Sequence, residues 1–255
     1  MPLWELIIVL LAGVAAGTIN TIVGSGSLIT FPTLLFFGYP PVVANMSNNV
    51  GLLPRGLTGV HGYRRELAGQ GRVLRRLLPA SALGGITGAL LLLVLPPQVF
   101  EVVVPLLIGI GVALVAFGPA LQKRAAAAHD DVVHPARAAA LPVGIFLAGV
   151  YGGYFGAAQG VILVGIMSVL MAQDLQVVNG IKNVLGLCVN TIAALVFITV
   201  AGRDIDWLVA AVIGVGTLIG GVIGARVGRR LPRPILRAII VLIGVTAIIR
   251  MTLFA

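Results

Sequence analysis

The chain is a series of long apolar runs separated by short polar loops, and this pattern limits what it can fold into. Ten such runs, five on each side of a polar break, cover residues 3–23, 26–38, 42–60, 77–95, 102–121, 141–158, 161–171, 177–200, 207–226 and 236–254. Hydrophobic residues make up 59% of the chain and charged residues only 10%. A membrane barrel would instead alternate over strands of about ten residues. The pattern predicts an all-α integral membrane protein with several spans.

The second run in each half is too short to cross a bilayer as a helix. The thirteen residues 26–38 would rise only about 20 Å, against a hydrocarbon core of about 30 Å. The stretch Ala12–Pro32 is broken by Gly24-Ser25-Gly26-Ser27, where backbone groups become free of the helix. Non-helical backbone at membrane depth is tolerated only inside protein or around a cavity. We therefore predict glycine-broken or re-entrant helices around a substrate site, whereas Gly13 and Gly17 equally suit a close helix crossing.

Arginine-rich loops predict the orientation. The loop His61–Arg76 holds five arginines against Glu66 alone, and the linker Gln122–Ala140 is also basic, so both should be cytoplasmic. The loop Ala201–Asp206 is acidic on balance and should lie outside. The net charge of +9 is then explained by the orientation of the protein in the membrane. The sequence has no basic patch interleaved with aromatic residues, which argues against nucleic-acid binding.

The two halves of the chain repeat each other. At an offset of 134 residues, Gly26, Asn45, Asn49 and Val50 match Gly160, Asn179, Asn183 and Val184. At an offset of 136, Gly84-Gly85, Gly88-Ala89 and Leu95-Pro96 match Gly220-Gly221, Gly224-Ala225 and Leu231-Pro232. The loop 96–101 has no Lys or Arg, while its counterpart is arginine-rich. The sequence thus predicts two inverted-topology repeats, 1–121 and 141–255, joined by a cytoplasmic linker, 122–140, an arrangement typical of secondary transporters.

Four stretches carry a resemblance to a known family. They are AGTINTIVGSGSLITFP and ANMSNNVGLLP in the first half, and GVYGGYFGAAQG and NGIKNVLGLCVN in the second. These segments resemble the TauE/SafE family of sulfite and organosulfonate exporters, over nearly the whole chain. The resemblance implies a multi-pass transporter of a small anion in the bacterial cytoplasmic (inner) membrane.

Polar side chains inside the runs are the candidate site residues. Half-helix N-termini at the glycine breaks would add a partial positive charge that favours an anion. The predicted substrate-binding residues are Asn20, Ser25, Gly26, Ser27, Asn45, Asn48, Asn49, Arg55, Gln159, Gly160, Lys182 and Asn183. Thr30, Tyr154 and Asn190 are further intramembrane polar groups. The alternatives are snorkelling of Arg55 and Lys182 to the inner interface, and hydrogen bonds between helices for the asparagines.

The charges in the runs predict the sign of the substrate. All eight carboxylates fall in predicted loops or at segment ends, whereas Arg55 and Lys182 are the deepest charges. An anion would be stabilised there, and its export would gain about 2.3 kcal/mol per charge per 100 mV from a negative interior. A divalent-cation exporter, the main alternative, would need carboxylates in the spans. No metal-ligand spacing, cofactor motif or nucleophile–base pair is present, so a membrane-embedded enzyme is the weaker alternative.

Overall fold

The computed structural model describes residues 2–22, 24–127, 135–171, 173–227 and 233–253. All the regular structure in these segments is α-helical, as predicted. The helices are α1 Leu3–Ile22, α2 Ser27–Phe36, α3 Pro41–Gly51, α4 Leu53–Gly62, α5 Gly71–Val94, α6 Pro97–Ala127, α7 Pro135–Tyr154, α8 Gln159–Leu170, α9 Leu175–Ala201, α10 Trp207–Val227 and α11 Arg233–Leu253.

Five of the described helices are long and apolar enough to cross a membrane. These segments are Leu3–Thr21, Gly71–Val94, Pro97–Gly118, Leu175–Ala201 and Trp207–Gly224. Shorter apolar segments, which include α2 and α8, lie between them. Many large apolar side chains on the long helices are exposed, as expected for surfaces that face lipid. The chain is a multi-pass helical membrane protein.

The third run is not the single helix that its sequence pattern predicted. The structure divides it into α3 and α4, with Leu52 in a turn between them. Pro54 has no backbone N–H to donate to the carbonyl of Val50, so the helical hydrogen-bond ladder is interrupted there. The described part of the first half therefore has six helices, where five were predicted.

The predicted linker 122–140 is largely helical where the structure describes it. Helix α6 continues to Ala127, and α7 already begins at Pro135. Alanines dominate these flanking segments, and alanine has the highest helix propensity. The predicted ends at 121 and 141 were therefore wrong by about one to two turns. Residues 128–134, which include His129 and His134, lie outside the described residues.

The short helices return beside the helices that precede them, so each pair forms a hairpin. The rings of Trp4 at the start of α1 and Phe37 at the end of α2 are 5.6 Å apart. In the second pair, a Cβ atom added to Gly144 of α7 would lie 2.9 Å from Cγ2 of Ile166 in α8. Helix α2 has 10 residues and α8 has 12, so they rise only about 15–18 Å. The hairpins therefore have their tips deep in the molecule.

Two close helix crossings tie the halves of the chain together. Helix α1 packs along α10, and α5 packs along α7. A Cβ atom added to Gly17 would lie 2.8 Å from Cα of Thr217 and 2.9 Å from the amide nitrogen of Gly221. Gly13 approaches Gly216 in the same way. The glycine pair on α1 thus serves helix packing, which was the alternative left open by the sequence.

Candidate functional site

The glycine tips of the two hairpins touch each other. The N–H of Gly160 donates a hydrogen bond to the carbonyl oxygen of Gly24, with the nitrogen and oxygen 3.2 Å apart. A Cβ atom added to either glycine would lie 2.7 Å from Cα of the other. Gly24 also has φ = +89°, a conformation that disfavours any residue with a side chain. The approach of the two chain breaks therefore depends on glycine at both positions.

A small cavity lies at this contact. Its volume is about 20 Å³, enough for roughly one water molecule. It is lined by Asn20, Gly24 and Ser27 of the first hairpin, by Gly156, Gln159 and Gly160 of the second, by Arg55 of α4, and by Lys182, Asn183, Gly186 and Asn190 of α9. The site thus draws on both hairpins and on the helices that follow them.

Hydrogen-bond donors without partners converge on this cavity. In the described part of the chain, six buried side-chain polar atoms have no hydrogen-bond partner. Four of them are nitrogens, and all four belong to lining residues: Arg55 Nε, Gln159 Nε2, Lys182 Nζ and Asn183 Nδ2. Buried polar groups are normally hydrogen-bonded, and leaving one unpaired is costly. Such a cluster of donors is complementary to an acceptor-only ligand such as an oxyanion.

The charged residues in the described lining are both positive. Arg55 and Lys182 are 8% and 2% exposed, and no carboxylate is among the described residues that line the cavity. Helices α2 and α8 both begin at the cavity, with Ser27 and Gln159 as their first residues. The N-terminal end of a helix carries a partial positive charge. Side chains and backbone therefore create a positive field in the same small volume.

The structure brings together seven of the twelve predicted site residues. Those that line the cavity are Asn20, Ser27, Arg55, Gln159, Gly160, Lys182 and Asn183. Because Arg55 and Lys182 are buried at the cavity, the snorkelling alternative does not describe them.

Five predicted residues are placed elsewhere. Gly26 packs against the carbonyl of Ala16 in α1. Asn45 Nδ2 donates to the carbonyl oxygen of Tyr154 over 3.0 Å, and Asn48 Oδ1 accepts a hydrogen bond from Thr30. For these two asparagines the interhelical alternative is the better description. Ser25 and Asn49 are buried, and Ser25 Oγ and Asn49 Oδ1 have no partner.

Four lining residues were not among the predicted ones. Gly186 and Asn190 follow Lys182 at intervals of four residues, so the three share one face of α9. That spacing was visible in the sequence. Gly24 belonged to the predicted chain break, but the repeat matched Gly26, and not Gly24, with Gly160. Gly156 has φ = +78°. Several glycines surround it in the sequence, and only this backbone conformation distinguishes it from them.

Comparisons with known proteins agree with the membrane architecture. The family model described as "Sulfite exporter TauE/SafE" matches residues 9–251. A "Probable membrane transporter protein" of Haemophilus influenzae is 28% identical over 219 residues, 84% of this chain and 82% of that protein. A "Probable membrane transporter protein ORF9" of a Sinorhizobium species is 36% identical over 107 residues, 40% of this chain and 39% of that protein. No solved structure matches the chain.

Proposed function

We propose that this chain, which belongs to the sulfite exporter TauE/SafE family of membrane transporters, exports a small sulfur-containing anion across the bacterial cytoplasmic membrane. The observation that carries the proposal is the set of four unpartnered nitrogens around the cavity, from Arg55, Gln159, Lys182 and Asn183. Sulfite and short organosulfonates present three oxygens that accept hydrogen bonds and carry negative charge. The oxygens of such a ligand are the acceptors that these donors lack.

The lining favours an anion over the alternative of a divalent cation. Calcium and magnesium bind to oxygen ligands, above all carboxylates. In the described residues, no group of three His, Cys, Asp or Glu side chains lies close enough together to hold a metal ion. A cation in the cavity would also face the positive charges of Arg55 and Lys182 without compensation.

Transport requires the site to change shape. The cavity of about 20 Å³ holds roughly one water, and an anion with three oxygens needs more room. We therefore assign this conformation to a closed step of the cycle, in which the hairpin tips meet at Gly24 and Gly160. Opening toward either side would admit or release the substrate.

The membrane potential supplies a sufficient driving force. With a negative interior, each unit of negative charge that leaves the cell gains about 2.3 kcal/mol per 100 mV. None of the described residues that line the cavity is a carboxylate, so proton coupling through a buried carboxylate has no candidate there. The simplest mechanism is potential-driven outward movement of the anion.

Reciprocal glycine contacts support a two-fold repeat with residues 1–121 and 141–255 as its halves, and the opposite charge of the equivalent loops favours an inverted one. Gly17 of α1 lies against Gly221 of α10. Gly153, which is 136 positions after Gly17, lies against Gly85, which is 136 positions before Gly221. A two-fold relation between the halves produces such exchanged contacts. The linker 122–140 would then lie on the cytoplasmic side, where its basic residues favour it.

Flux measurements in proteoliposomes test the function. We expect efflux of sulfite or a short alkanesulfonate, and faster efflux when a potassium gradient with valinomycin makes the interior negative. Sulfate and a divalent cation serve as comparison substrates in the same vesicles. Flux of the divalent cation alone would refute the anion assignment. Anion flux that ignores the potential but follows a pH gradient would replace the uniport mechanism with proton coupling.

Cysteine accessibility tests the inverted repeat. Gln98 and Arg226 are both exposed. Gln98 lies just after α5, and Arg226 lies at the end of α10, the corresponding helix of the second half. In a Cys188→Ser background, Gln98→Cys should react with an impermeant maleimide from outside, and Arg226→Cys only from inside. Ala68→Cys, in the arginine-rich loop, is the control for the inner side. Labelling of positions 98 and 226 from the same side would contradict the inverted arrangement.

A further inference from the structure

Three side chains of the short helix α3 form hydrogen bonds to three other segments. Asn45 donates to the carbonyl of Tyr154 at the tip of the second hairpin, over 3.0 Å. Ser47 Oγ accepts a hydrogen bond from the backbone N–H of Asp206, over 2.9 Å. Asn48 accepts one from Thr30 in α2. Helix α3 is thus hydrogen-bonded to the first hairpin, to the second hairpin and to the residue that precedes α10.

These bonds lie on the side of the cavity that faces outward in the proposed orientation. Helix α3 begins at Pro41, two residues after Tyr39, whose hydroxyl donates to Oδ2 of Asp206 over 2.9 Å. Burial, and then the hydrogen bond to Asp206, raise the pKa of Tyr39 to about 12. Ala44 and Met46 of α3 also pack into the apolar cluster that contains Phe31 and Phe155.

The C-terminal end of α3 has the two features of a hinge, which are close packing and an immediate break in the helix. Thr217 Oγ1 donates to the carbonyl of Gly51 over 2.9 Å, and a Cβ atom on Gly51 would lie 2.7 Å from Cβ of Ile213. This end is therefore held closely against α10. The helix breaks immediately afterwards, at Leu52, because Pro54 cannot continue the hydrogen-bond ladder. Such breaks are the usual sites where hinge motions are absorbed.

The corresponding helix of the second half has no break. Helix α9 is continuous from Leu175 to Ala201, and the polar groups on its cavity face, Lys182 Nζ and Asn183 Nδ2, are unpartnered. At the offset of 134, Lys182 and Asn183 correspond to Asn48 and Asn49. In the first half Asn45 and Asn48 form hydrogen bonds between helices, whereas in the second half the donors of Lys182 and Asn183 are left for a ligand.

We propose that α3 is the outer gate of the transport site, which pivots at Gly51–Pro54 and is held shut by the hydrogen bonds of Asn45, Ser47 and Asn48. Release of these bonds would let α3 tilt away from the hairpin tips and open the cavity outward, while α9 stays in place as the rigid wall that carries Lys182. This inference rests on the proposed transport function. It assigns Asn45 and Asn48 to gating instead of substrate binding.

A cysteine in the cavity can report the opening without any substrate. Gly186 lines the cavity, and a Cβ atom added there would have nothing within 4 Å, so the backbone at this position has room for the Cβ of Gly186→Cys. In a Gly186→Cys, Cys188→Ser background, an impermeant thiol reagent applied from outside should react slowly. Adding Asn45→Ala and Asn48→Ala should raise this outside rate about tenfold, since two interhelical hydrogen bonds are lost.

Matched variants separate gating from general loosening. Thr33→Ala removes a hydroxyl on α2 that donates to the carbonyl of Ile29 in its own helix, and it should leave the rate unchanged. Pro54→Ala should lower the outside rate by restoring the ladder between α3 and α4. Ser47→Ala, a milder change, replaces the double variant if that protein is not recovered folded.

The outcomes distinguish the gate from the proposed function. An unchanged outside rate in both the double variant and Ser47→Ala would overturn the gate, even if anion flux is observed in the parent protein. A raised rate in these variants, with no rise in Thr33→Ala, would establish the gate even if no anion in the panel is transported. An equal rise in Thr33→Ala would show general loosening and would also overturn it.

Discussion

Replacing Gly160 by valine is expected to abolish anion flux while the protein remains folded in the membrane. A Cβ atom at this position would lie 2.7 Å from Cα and 2.9 Å from the carbonyl oxygen of Gly24. These are backbone atoms, so no side chain can move aside to relieve the overlap. The hairpin tips would separate, and the donors from the two hairpins would no longer face the same small volume. Because a displacement of 1 Å can cost a site about a hundredfold in function, we expect flux to fall by that factor or more.

A second glycine of the same helix provides the control. Gly165 is also in α8, and a Cβ atom there would meet no atom within 4 Å, so Gly165→Val should transport at close to the parent rate. Both proteins should elute as single peaks from size-exclusion chromatography after extraction. Gly160→Val with normal flux would mean that the contact between the tips is not part of the transport site.

The hairpins could be predicted because they depend on the length and composition of single segments. A run of thirteen residues cannot span the bilayer, and glycines beside it allow the chain to turn back. The break at Leu52 was equally readable, since Pro54 lies inside the run, but the apolar character of the segment outweighed it in the prediction. Both features are local, and local features are what a sequence pattern reports best.

The composition of the site was only half predictable, because it depends on which partners each polar group finds. Asn48 and Lys182 occupy corresponding positions of the two halves, and the sequence treats them as equal candidates. In the structure Asn48 is bonded to Thr30, whereas Lys182 Nζ has no partner. That difference arises from the packing of α2 against α3, which brings together Thr30 and Asn48, two residues 18 positions apart in sequence. No periodicity of a single helix contains this information.

The exact contact between the breaks was also beyond the sequence. The offset of 134 pairs Gly26 with Gly160, yet the glycine that touches Gly160 is Gly24. Gly26 is instead required where the tip of the first hairpin packs against Ala16 of α1. Repeats identify corresponding positions, but the contact surface between two halves joins positions that need not correspond.

Replacing Lys182 by glutamine is expected to weaken anion transport strongly. Apart from Arg55, no other charged residue should have as large an effect when its charge is removed. Lys182 is buried at the cavity and has no carboxylate or hydrogen-bond partner there, so its interaction with a bound anion is not shared with the protein. Hydrogen bonds to charged groups contribute about 1.5–3 kcal/mol, which corresponds to a rise of roughly 10- to 100-fold in the KM of anion flux. Glutamine keeps donor capacity and similar length, so the change reports mainly the charge. The measurement is initial flux against anion concentration in proteoliposomes.

Two further variants make the result specific to the cavity. Arg72 is exposed at the start of α5, and Arg72→Gln removes the same charge from the protein without touching the site, so its KM should match that of the parent. Arg55→Gln should resemble Lys182→Gln. If both cations contact one anion, the double variant should lose less than the sum of the two single losses, because groups that share a ligand are not additive. An unchanged KM in Lys182→Gln would remove Lys182 from the site, whereas strictly additive losses would place the two cations at separate points along the pathway.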